Sequence, residues 1–311
     1  MAVLSCFPAL QVVAFQQPEL SEYVIIKPAW LYTDLVSLIM SEDPLPKPYV
    51  QYENGYAKLD DVIKLLQTAH PDVTGELAVT MLSELGFMIV VKGRALVPVK
   101  LKEERPEQWW PRIPKHMIEV MVFAGRRLRF VGLVGPSSAL FPLAQSHFYH
   151  LFIKKYANEL PLWAGGIRIA SGKFPGAIAL IEARPVLCCI DVFVRGRVEF
   201  ADQCYQLLHI LSAELMAMVN EHSPGSKTER LFLSGSELAR LSEDASLAAP
   251  RIAYSKDSVC QALERSEHVT DGKASDPEDP ACLMLSDDEW LGKKSFTFQI
   301  FRCSGLLFNT M

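Results

Sequence analysis

Three runs in the second half of the chain set the terms: "GIRIA" at residues 166–170, "AIALIEA" at 177–183 and "VLCCIDVFVRG" at 186–196. Each is rich in Ile, Val or Cys, and each is too short to read as a core-spanning helix. They are punctuated by glycine, proline and polar residues, which is the pattern of buried strands. A chain carrying three such runs close together has to build a sheet and then cover it.

The link between the first two runs tests whether that sheet carries a nucleotide. "WAGGIRIASGKFPG", residues 163–176, places four glycines around Lys173. A phosphate-binding loop needs GxxxxGK[ST], because successive amides must wrap one phosphate and a hydroxyl must meet Mg²⁺. Here the spacing from Gly166 to Gly172 is one residue too long, and Phe174 stands where Ser or Thr is required. The segment leads into a strand, whereas a phosphate loop opens a helix. It reads as a hairpin loop. "GKKS" at residues 292–295 fails as well, with Asp287 in the place of the first glycine.

Around these strands the pattern alternates. "ALFPLAQSHFYHLFIKKYAN" reads as a helix with Phe141, Ala144, Phe148, Leu151 and Phe152 turned inward. A long helix from about Phe200 to His222 has Cys204, Leu208, Leu211, Leu215 and Met218 at steps of three and four, and "SPG" at 223–225 stops it. "RLFLS" reads as a further strand and "SELARLS" as a short helix. "IEVMVFAGRRLRFVGLVG" is expected to be a hairpin turning at Ala124–Gly125.

The first half has a different order. Val24 to Ile26 form a short strand, and Pro28 opens a helix carrying Leu31, Leu35, Leu38 and Ile39. A second helix presents Leu59, Val62, Ile63 and Leu66. A third, "GELAVTMLSELG", presents Leu77, Met81, Leu82 and Leu85 and ends at Gly86. "FMIVV" and "ALVPV" then form a hairpin turning at Lys92–Gly93–Arg94. Three helices followed by a β-hairpin is the order of a winged-helix domain. The fold class expected is therefore α+β. Residues 1–19 are a loose segment, 20–113 a winged-helix-like domain, 114–242 a mixed α/β sheet domain, and 243–311 a mostly disordered acidic tail. "KLKEERPEQWWPRIP", bounded by Pro106, Pro111 and Pro114, marks the boundary.

Charge and chemistry narrow the function classes. The net charge is −5, spread as −1 over residues 1–19, −3 over 20–113, +4 over 114–240 and −5 over 241–311. That distribution fits contacts within an assembly better than grip on a polyanion. Nucleic-acid binding by a winged helix needs Lys and Arg on the reading helix, and "GELAVTMLSELG" offers Glu76 and Glu84 instead. Seven cysteines (6, 188, 189, 204, 260, 282, 303) show no framework spacing and no CxxC, so free thiols in a reducing cytoplasm are expected. His147 and His150 form an HxxH without a third ligand at useful spacing. Cys188 in an apolar run is expected to have a raised pKa and low reactivity. No membrane span is long enough, no basic n-region opens the chain, and no catalytic, cofactor or metal constellation emerges.

Several of these residues also carry a resemblance. "VIIKPAWLYTDLVSLIM", with Pro28, Trp30 and Leu31, "LGFMIVV…ALVPVKL", "LFPLAQSHFY", "LPLWAGGIRIASG", with Leu162, Trp163 and Gly166, and "CCIDVFVRG" look like the COR region of Roco proteins. "VMVFAGRRLRF" and "RLFLSGSELARL" leading to "RIAYSKDSVCQAL" bring it nearest to the death-associated protein kinase branch. The match covers about residues 20–265. It implies a non-catalytic module that packs on a Roc GTPase domain, self-associates, and relays nucleotide state to attached signalling domains. No phosphate loop or kinase motif is present to receive GTP binding or kinase activity, which the resemblance would place in other parts of a longer parent protein. The aromatic residues expected at partner contacts are Trp109 and Trp110 in the connector. Trp30 and Trp163 are expected in the core first and at an interface second.

Overall fold

The computed structural model describes residues 13–15, 18, 20–41, 50–102, 104–106, 110–118, 120–131, 139–153, 161–170, 172–233, 238–239, 242, 253–255, 300–301 and 307–308. Most of the acidic tail expected to be disordered therefore lies outside the described residues. The elements are helices with antiparallel sheets, an α+β arrangement, and they divide into two compact units. The first comprises residues 1–104, 141–150 and 162–164; the second holds the remainder. The break falls at Glu104, ahead of the 113/114 boundary expected from the prolines. The physical reason is packing: Trp110 is buried in the second unit, so the proline-rich connector is part of that unit's cover.

In the first unit, β1 (Val13–Ala14) pairs antiparallel with β2 (Val24–Ile25). The segment before residue 20, expected to be loose, thus supplies a strand, and Phe15 beside it is buried. A helical stretch follows: α1 (Pro28–Trp30), a π-helix at Leu31–Val36, and α2 (Ser37–Met40). The π-turn is a departure from the regular 3.6-residue spacing read in the sequence. Leu31, Leu35 and Ile39 nonetheless all reach the core with no exposure. Next come β3 (Tyr56–Lys58), α3 (Leu59–Ala69), α4 (Gly75–Glu84), β4 (Ile89–Val91) and β5 (Arg94–Leu96), with strand order β3-β5-β4.

Local chemistry fixes these boundaries. Thr74 caps α4, its hydroxyl accepting from the Leu77 N–H at 3.3 Å. Gly86 at φ +80° closes it: the Gly86 N–H donates to Ser83 O, and the Phe87 N–H to Leu82 O at 3.0 Å. Lys92 and Gly93 both have positive φ, 48° and 73°, as a two-residue turn between β4 and β5 demands. Val62, Leu66, Leu82, Met88 and Val97 complete the core with the π-helix residues.

In the second unit, the short helix α5 (Lys115–Ile118) precedes β6 (Met121–Val131), which is one continuous strand, not the expected hairpin. Gly125 lies in its middle because Leu238 and Leu233 come down on it: a Cβ there would lie 2.9 Å from the Leu238 Cδ1. The helix α6 (Leu140–Phe148), which from Phe141 belongs to the first unit, runs into a second π-turn, Tyr149–Ile153, that leaves Leu151 half exposed against the expected inward face. The short β7 (Leu162–Trp163) that follows is also in the first unit. Then come β8 (Gly166–Ala170), β9 (Ala177–Arg184), β10 (Cys189–Arg197), α7 (Ala201–His222), β11 (Lys227–Leu233) and β12 (Ala253–Ser255). The order β12-β11-β6-β10-β9-β8 puts β10 near the centre.

One face of this sheet packs on α7. At Gly196 the approach is so close that a Cβ would meet Gly176 O at 2.3 Å and Cys204 Sγ at 2.5 Å. Gly196→Ala is therefore expected to cost at least 1–3 kcal/mol through overpacking. Gly93→Ala, with open space around it but positive φ, is expected to cost about 1 kcal/mol. Denaturant unfolding of both variants measures the difference.

Candidate functional site

The register of β10 decides the chemistry of the other face. Alternate residues Cys189, Asp191, Phe193 and Arg195 share it, while Ile190, Val192 and Val194 face the opposite way. Asp191 stands opposite Arg127 on β6 and opposite Glu182 on β9. Arg127 grips Asp191 with two hydrogen bonds, Nε to Oδ1 at 2.7 Å and Nη2 to Oδ2 at 2.8 Å. Arg184 lies 3.9 Å from the same carboxylate and donates to Glu182, which also accepts from Arg105 at 2.9 Å. Asp191 has no solvent exposure. Bidentate arginine–carboxylate geometry is what makes a carboxylate tolerable there.

The last charged residue on that side of β10 has a different environment. Arg195 is 4 % exposed; its guanidinium carbon sits 3.8 Å above the Trp110 ring, and Nη2 donates to Pro111 O at 2.9 Å. Burial, followed by the charges of Arg168 and Arg105, pushes its pKa down to about 10. It stays protonated at neutral pH. Trp110 also lines a small open cavity with Arg105, Arg184, Glu182, Phe193 and Leu238.

The tryptophans expected at contacts are distributed as follows. Trp110 is 8 % exposed and packed as described. Trp163 is 4 % exposed, with its carbonyl accepting from Gln145 Nε2 at 2.8 Å. Trp30 is half-buried, edge-on to His70 at 5.6 Å. Trp109 lies outside the described residues. Around Trp30 the chain exposes large apolar side chains that the sequence reading passed over. Tyr23, Val24, Ile26 and Tyr32 are 43–73 % exposed, and they are four of the nine such residues among the described ones. Val186 and Leu187, at the turn before β10, form a second exposed apolar point.

The other chemical candidates resolve locally. Residues 172–176 connect β8 to β9, and Lys173 is exposed with its ammonium 5.5 Å from the Phe174 ring centroid. His147 and His150 stand edge-on to Phe148 and Tyr149. Among the described residues no three His, Cys, Asp or Glu side chains group as metal ligands, and no helix is long and apolar enough to cross a membrane. Cys188 is exposed in a left-handed turn (φ 47°), not inside the strand. Cys189 and Cys204 are buried, and burial pushes both thiols up to about 12; the Asp191 charge adds to the rise at Cys189.

The buried charged row had a legible signal: Asp191 and Arg195 stand four residues apart inside the apolar run "CIDVFVR", a spacing that puts both on one side of a strand. No family model matches the chain, and no curated protein matches it.

Three outcomes follow. Asp191→Asn leaves Arg127 buried without its counter-charge and is expected to cost about 3–5 kcal/mol, read by denaturant unfolding. Cys188 is expected to react first with a thiol reagent among the described cysteines. Because Cys189 and Cys204 bind protons more tightly folded than unfolded, their contribution to stability is present below pH 9 and is lost as pH rises towards 12. Unfolding measured across that range with Cys189→Ala and Cys204→Ala checks the sign.

Proposed function

We propose that this chain is a non-catalytic docking module of the COR type, with a winged-helix-like first half, that packs on a GTPase domain and associates with itself. The single observation that carries the docking reading is that Tyr23, Val24, Ile26 and Tyr32, all exposed, fall in the one short stretch of chain that holds half-buried Trp30. Exposed apolar side chains concentrated in one short segment mark contact surfaces, whereas scattered ones need no explanation. The π-helix at Leu31–Val36 lies within this segment, and π-turns recur at functional sites.

The winged-helix-like reading rests on helix, strand, two helices and hairpin in that order, with strand order β3-β5-β4. The COR reading rests on the sequence resemblance across residues 20–265. It makes the GTPase partner a Roc domain, in the same parent chain or in trans, and places the relay of nucleotide state in the packing between them. A cytoplasmic location accords with the unpaired thiols Cys188, Cys189 and Cys204.

Size-exclusion chromatography with light scattering, with and without a Roc domain, tests the reading. Association is expected, and Ile26→Glu is expected to weaken it while changing stability by no more than about 0.5 kcal/mol. A strictly monomeric species indifferent to Roc would overturn it.

A further inference from the structure

We draw no further inference here: the strongest candidate, the turn between β9 and β10 that holds Val186 and Leu187 out from the sheet, is an exposed apolar point, and nothing in the structure shows what covers it.

Discussion

The second unit is organised by a strand that must satisfy two incompatible neighbours. Strand β10 turns Ile190, Val192 and Val194 to α7 and turns Asp191 and Arg195 to the connector around Trp110. The sets cannot exchange places, because apolar residues on the other side would leave Arg127 and Arg184 without the Asp191 carboxylate. A one-residue slip in register would have that effect. The ion-paired row Arg127–Asp191–Glu182 therefore acts as a lock on strand alignment across β6, β10 and β9, whatever its net contribution to stability.

That lock accounts for the proline-rich connector. A charged face under water would need no cover, but a face holding Phe193 and Leu180 between its charged residues does. Trp110 and Leu238 supply it, and the Ile113 N–H closes onto Ser242 O at 2.9 Å to hold the covering layers together. Pro111, whose carbonyl accepts from Arg195, lets the chain beside Trp110 lie on this face without a backbone N–H of its own to satisfy. Gly125 belongs to the same logic. It is missing a side chain because Leu238 occupies that space.

The first unit follows simpler rules, and its helices and hairpin were legible in the sequence, whereas β1, β3 and the π-turn were not. The cap at Thr74, the left-handed Gly86 and the two positive-φ residues of the β4–β5 turn are local devices whose chemistry is complete within a few residues. The misreadings have two causes, a distant residue at Gly125 and an irregular helical turn at Leu151. Gly125 read as a turn because the sequence does not announce Leu238. Leu151 read as inward because the π-turn that rotates it is not visible in a 3.6-residue pattern. Among the site residues, Trp30 and Trp110 were singled out as aromatic residues, but the exposed cluster beside one and the buried guanidinium on the other were not.

The sequence by itself determined the inventory: an α+β chain, a helical first half with its hairpin, a run of strands in the second, and a glycine stretch that cannot cradle a phosphate. Those features are decided by periodicity, capping and turn geometry, all of which act over short spans of chain. Only the tertiary structure decided which side of β10 carries charge and which arginines meet Asp191 and Glu182. Pairing of β6 with β10 joins Arg127 to Asp191, 64 positions away, and burial turns ordinary surface residue types into a row of interior ions.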